Sequence, residues 1–165
     1  MEELVIVMFH QQHIDAFKAK YNDVFYAVFR VVIGVLFMFH GLQKVFGLFT
    51  ENGAQPILGG NLAFLGLNLM WVAGVIEFLG GLFIALGLFT AVAAFLSSIV
   101  MMTAFFLSHF TLENPIPILN RGELAIVYLA AFLFIMVEGG GKYALDTKLC
   151  KQCKINATPL AVKTK

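Results

Sequence analysis

Charge is scarce in this chain. Lys, Arg, Asp and Glu together make up 13% of its 165 residues, about half the share of roughly 25% found in a typical globular protein. They gather at the two ends and in short connectors instead of mixing through the sequence. Eleven Lys and Arg against ten Asp and Glu leave a formal net charge of +1. No basic run is interleaved with aromatics so as to track phosphates, which sets nucleic acid aside as a partner. A basic leader is also missing. Met1-Glu2-Glu3-Leu4-Val5-Ile6 opens on acids, and no small-residue cleavage site follows, so the first apolar segment is expected to stay in the mature protein. There is no internal repeat and no low-complexity tract.

What fills the space left by charge is apolar. The hydrophobic fraction is 60% and the mean hydropathy +0.87, against roughly 45 to 50% apolar residues in soluble chains. A soluble fold of this size has nowhere to hide that surface, so the solvent for the middle of the chain is lipid. Residues 24–49, 69–89 and 91–110 are each long enough to cross a hydrocarbon core about 30 Å thick. Residues 124–137 form a shorter fourth candidate with Glu123 and Glu138 at its boundaries. Residues 87–91 leave room only for a tight turn, and Pro115 and Pro117 prevent continuous helix in the third connector. In the first connector, residues 50–68, Ile57-Leu58 and Leu62-Ala63-Phe64-Leu65 are apolar enough for a short interfacial segment.

Counting basic residues outside the spans sets the orientation. Lys18 and Lys20 precede span one and six lysines follow span four, whereas the first connector has no Lys or Arg and the third only Arg121. By the positive-inside rule both termini are cytoplasmic, a parity that four crossings satisfy. The expectation is an all-α, multi-pass four-helix bundle of the plasma membrane. It comprises an N-terminal juxtamembrane segment (1–23), a membrane domain (24–146) and a lysine-rich tail (147–165).

Threading the spans in that order brings His40, Lys44, Glu77, His109 and Glu123 into one layer in the outer half. Ionisable groups are costly in lipid and usually face a bundle interior, so this layer is the candidate ligand-binding cluster. Helical phase puts Arg30, Gly34, Phe37, Gly41 and Lys44 on one stripe with His40 at its edge. Gly74, Gly80 and Gly81 flank Glu77 at helical spacing and mark close helix contact, as do Gly34 and Gly41. On span three Ser98, Met102, Phe105 and His109 form a comparable stripe. Arg30, near the inner end, is expected to snorkel or pair with headgroups. A purely structural reading of the cluster remains open, in which Lys44 and Glu77 form a buried pair that fixes packing.

Two chemistries fit such a layer. His40 and His109 on different helices could ligate haem iron from both sides, but nothing in their spacing singles haem out. An apolar cleft with a histidine donor, a carboxylate and nearby Phe rings suits a quinone better. No metal-ligand set is apparent. Cys150-Lys151-Gln152-Cys153 has the spacing of a redox dithiol or half a metal site, yet no second pair accompanies it, and free thiols are the default.

Several short motifs recur in a particular order: Arg30, then His40-Gly41-x-x-Lys44, then Ile76-Glu77 followed by Gly80-Gly81 and Gly87-Leu88-Phe89-Thr90. Ala104 and His109 come next, then Asn120-x-Gly122-Glu123 and Gly139-x-Gly141-x-Tyr143-x-Leu145-Asp146. Over residues 29–146 the chain thereby resembles the DoxX family of small four-helix membrane proteins. The N-terminal segment and the Cys-x-x-Cys tail depart from the pattern. The resemblance implies a four-helix membrane fold and an association with redox chemistry, since some members look like subunits of quinone-linked thiosulfate oxidation and others assemble with oxidative-stress enzymes. The expected function is therefore a redox-associated subunit that binds a quinone-like or small anionic ligand. The alternatives are a non-catalytic scaffold that recruits a redox enzyme, or a small transporter acting as a homo-oligomer.

Overall fold

The computed structural model describes residues 2–49, 63–64 and 67–149. The expected interfacial segment in the first connector lies almost wholly outside these residues, as does the lysine-rich tail from Cys150 on, Cys153 included.

Helix α1 (Glu2–Phe46) runs through the expected N-terminal segment without a break. It ends where Gly47 takes a left-handed φ of 66° and Phe49 one of 62°, so the first span closes three residues earlier than expected. A two-residue antiparallel ladder, β1 (Ala63–Phe64) with β2 (Leu67–Asn68), leads into α2 (Leu69–Leu86). Gly87 (φ 71°) and Phe89 (φ 46°) make the tight turn into α3 (Thr90–Ala104), which continues as a π-helical turn over Phe105–His109. There Phe110 N–H reaches back five residues to the Phe105 carbonyl at 2.9 Å. Helix α4 (Glu123–Glu138) and a short α5 (Leu145–Leu149) complete the described chain.

Among the described residues, three helices are long and apolar enough to cross a membrane: Ile14–Phe46, Leu69–Leu86 and Thr90–His109. Helix α4, with 16 residues, rises only about 24 Å at 1.5 Å per residue. It packs along α3 and touches α1. Large apolar side chains cover the outside of the assembly, among them Phe25, Phe89 and Val137, exposed by 62%, 65% and 80%. Such a surface has lipid, not water, as its solvent.

The close contact in this bundle is between α1 and α2, and it is made by glycine. A Cβ on Gly34 would lie 2.6 Å from the Ala85 backbone nitrogen, and one on Gly41 2.6 Å from Phe78 Cα. From the other side, a Cβ on Gly81 would meet Gly34 O and Met38 N at 2.5 Å, and one on Gly74 the Lys44 Cβ at 2.9 Å. The two backbones therefore touch along a ridge that no side chain can enter. Gly80 faces the other way, toward Ser97 of α3. The centre of the bundle is aromatic, with the buried Phe37 ring 4.6 Å from Phe132 and 5.4 Å from Tyr128.

Arg30 corrects the sequence expectation. It is 2% exposed and does not reach headgroups. Its Nη1 donates to the carbonyls of Ile84 and Ala85 (2.9 Å to the latter), the last turn of α2, whose carbonyls have no partner within the helix. A cation there also meets the negative end of the helix dipole. The glycine turn explains why it can fit, because a Cβ on Gly87 would stand 2.8 Å from Arg30 Nη1.

Candidate functional site

At the opposite end of α1 a cavity of about 210 Å³ opens between the helices. His40 and Lys44 reach it from α1, Glu77 from α2, His109 from the π turn, and Tyr128 from α4, with Arg121 at the connector before α4. Four of the five residues expected to share a layer thus line one space. Glu123 does not. It is exposed in the first turn of α4, where its negative charge sits beside the positive end of the helix dipole.

The strongest contact in the cavity joins Lys44 Nζ to Glu77 Oε1 at 2.5 Å, with the glutamate side chain 1% and the lysine 25% exposed. The ion pair follows from the glycine ridge. Gly74 and Gly41 let α1 and α2 approach until Lys44 overhangs the turn that carries Glu77. Only one carboxylate oxygen is used, for Oε2 is buried without a hydrogen-bond partner among the described residues. Ser97 Oγ, where Gly80 meets α3, likewise has no hydrogen-bond partner among the described residues.

His40 stands edge-on to the Tyr128 ring, with centroids 5.8 Å apart. His109 is held differently: its Nδ1 lies 3.1 Å from the Asn120 carbonyl oxygen. Asn120 in turn folds over its own connector. Its Oδ1 accepts the Gly122 N–H at 2.8 Å and its Nδ2 donates to Asn114 O at 3.0 Å. Gly122 must stay bare, because a Cβ would meet the Phe105 ring at 2.7 Å. The Asn120-x-Gly122 motif therefore fastens the π turn to the start of α4 and fixes where His109 points. The π turn also resets the helical phase. Met101 and Met102 precede the turn in regular helix, where Met101 lines the cavity and Met102 is 49% exposed, so the extra residue in the turn brings His109 onto the face of Met101 instead of Met102.

Arg121 and Tyr128 escape the sequence reading. Arg121 counts there only as a loop charge, and its left-handed φ of 60°, which turns it toward the cavity mouth, has no local signature. Tyr128 had one: it shares the buried stripe Ala125, Tyr128, Phe132 and Ile135, and its hydroxyl makes it the polar member of that stripe. With Lys44 and Arg121 set against Glu77, the lining carries one net positive charge when both histidines are neutral. No group of His, Cys, Asp and Glu suited to hold a metal occurs among the described residues.

A family model described as DoxX matches residues 25–110, from the apolar part of α1 through the π turn. The chain belongs to the DoxX family. The matched DoxX stretch contains His40, Lys44, Glu77 and His109, while Arg121 and Tyr128 lie beyond it. A relative from Haemophilus influenzae, described as an uncharacterized protein, is 40% identical over 135 residues, 81% of this chain and 96% of the relative. No solved structure matches.

Proposed function

We propose that this DoxX protein is a membrane-embedded, redox-associated subunit that binds a quinone-like ring or small anion in the cavity of His40, Lys44, Glu77, His109, Arg121 and Tyr128. The observation that carries the reading is the free Oε2 of Glu77, a fully buried carboxylate oxygen on the wall of a cavity. An unpaired polar atom in such a place is costly unless something comes to meet it. Size supports a small occupant. A cavity of about 210 Å³ exceeds the roughly 150 Å³ that takes up benzene and falls below the roughly 300 Å³ at which drug-sized sites begin. Lys44, Arg121 and His40 supply donors for a carbonyl or anionic oxygen, and Glu77 exchanges the proton.

In this reading α4 makes the fourth crossing and both termini lie in the cytoplasm. Solvent extraction and an absorption spectrum of the purified protein test for a bound quinone or haem. Binding of a short-chain quinone, followed by fluorescence quenching, is expected to be lost in Glu77→Gln and His40→Ala. Unchanged binding in both variants rejects the site.

A scaffold that recruits a redox enzyme is the second reading. It is favoured by the polar groups already occupied within the cavity, Lys44 by Glu77 and His109 by Asn120. It predicts that the same variants lower thermal stability and leave no ligand to lose.

A further inference from the structure

The other end of the α1–α4 seam holds a second cavity, of about 280 Å³, lined by Asn22, Phe25, Tyr26, Phe29, Phe134 and Glu138. It is separate from the polar site. His40 lies fourteen residues beyond Tyr26 along α1, about 20 Å of helix, and the buried Phe37–Phe132–Tyr128 cluster fills the seam between the two.

Its chemistry is also different. Phe134 stands across Tyr26 at 78° and across Phe29 at 72°, with centroids 5.9 and 5.8 Å apart. The rings therefore form walls at nearly right angles, the arrangement that surrounds an organic ammonium with negative π faces. The Tyr26 hydroxyl is engaged with the Gly139 carbonyl at 2.5 Å, which fixes that wall against the turn after α4. A Cβ on Gly141 would stand 2.8 Å from the Tyr26 ring, so the turn supports the wall from behind. The only formally charged group in the lining is the Glu138 carboxylate, and the Asn22 amide adds a neutral acceptor.

The depth of the cleft identifies where an ammonium would come from. Asn22 and Glu138 sit at the edge of the apolar stretches of α1 and α4, and Phe25 and Phe134 are exposed by 62% and 51% on the lipid-facing surface. Lys142, paired with Asp23 at 3.1 Å next to Asn22 but 66% exposed, puts an accessible cation at the rim, where it can share a phosphate with that pair. We infer that this cleft binds a zwitterionic phospholipid of the bilayer, its ammonium group held by the aromatic corner and Glu138 and its acyl chains lying over Phe25 and Phe134.

Native mass spectrometry of the full chain, after incubation with equal amounts of phosphatidylethanolamine, phosphatidylcholine and phosphatidylglycerol of matched chains, tests the assignment. The two ammonium lipids are expected to be retained about fivefold over the glycerol lipid, the scale of one cation–π or charge contact at a partly exposed site. Glu138→Gln is expected to erase that preference, and Glu113→Gln, an exposed acid in another connector, to keep it. Glu138 is exposed, so its variant folds. Phe134→Ala is expected to act in the same direction. Equal retention of the three lipids, or a preference that survives Glu138→Gln, overturns the inference.

Discussion

Asp146 and Thr90, 56 residues apart, are joined twice: carboxylate Oδ2 accepts both the amide N–H and the hydroxyl of Thr90, each at 3.0 Å. Oδ1 accepts the Phe89 N–H at 2.8 Å, and the Asp146 N–H returns to Gly87 O at 2.8 Å. Helix α3 is therefore capped from the far end of the chain. Asp146 holds in place the same turn that Arg30 supports from α1, and the three motifs meet at one end of the bundle.

This cap has a defined acid limit. Burial pushes the Asp146 carboxyl up, but the Thr90 and Phe89 amides, the Thr90 hydroxyl and the Arg30 charge outweigh it, and the group titrates below its ordinary value. A depressed folded pKa contributes stability above the unfolded value, about 3.9, and loses it as pH falls through the folded one. Asp146→Ala should cost about 1–2 kcal/mol near neutral pH, as for other lost helix caps. Thermal melts in detergent should show that gap narrowing below about pH 3.9. A gap that widens toward acid contradicts the capping role.

Arg30 should be intolerant of lysine. A guanidinium can serve two neighbouring carbonyls from one planar group, whereas an ammonium on a shorter reach meets them less well. With the buried Ile84 O and the half-buried Ala85 O behind it, Arg30→Lys is expected to lower stability by about 1–3 kcal/mol. A headgroup-paired arginine would tolerate the change, so a melting temperature equal to the native one restores the snorkelling reading.

The Lys44–Glu77 pair can be weighed by a double-mutant cycle. Lys44→Met strands a carboxylate that is 1% exposed and should cost about 3 kcal/mol, at the low end for buried pairs because the lysine is a quarter open to its surroundings. Lys44→Met combined with Glu77→Gln removes both charges and should recover most of that loss. Additive losses would mean that the two charges do not depend on each other.

Much of this architecture was legible in sequence because it is written in composition and period. The apolar runs set the helices, and their interruptions at His40, Lys44, Glu77 and His109 fell on the cavity wall once the helices were threaded in order. What escaped was set by backbone geometry that leaves no periodic trace. The π turn moved His109 from the face of Met102 to that of Met101, and a left-handed residue carried Arg121 to the cavity mouth. Arg30 looked like an interfacial cation because its partners are carbonyls, which every residue carries and no sequence pattern distinguishes. Glu123 was placed by chain order alone, and helix phase turned it outward.

Glycine should separate two kinds of constraint. At Gly81 a Cβ would press on Gly34 O and Met38 N at 2.5 Å. These are backbone atoms that yield only if α1 and α2 part, so Gly81→Ala is expected to cost about 3 kcal/mol or more. At Gly139 nothing lies within 4 Å of the added carbon, but φ 69° and ψ −152° belong to a region almost closed to other residues. Gly139→Ala should therefore cost only its backbone strain, about 1–2 kcal/mol. The Lys44–Glu77 contact depends on the first site and not on the second. On the proposed function, quinone binding and melting temperature should then fall together in Gly81→Ala, while Gly139→Ala lowers the melting temperature alone. If Gly139→Ala proves the more damaging, the close approach of α1 and α2 is not what holds the cavity open.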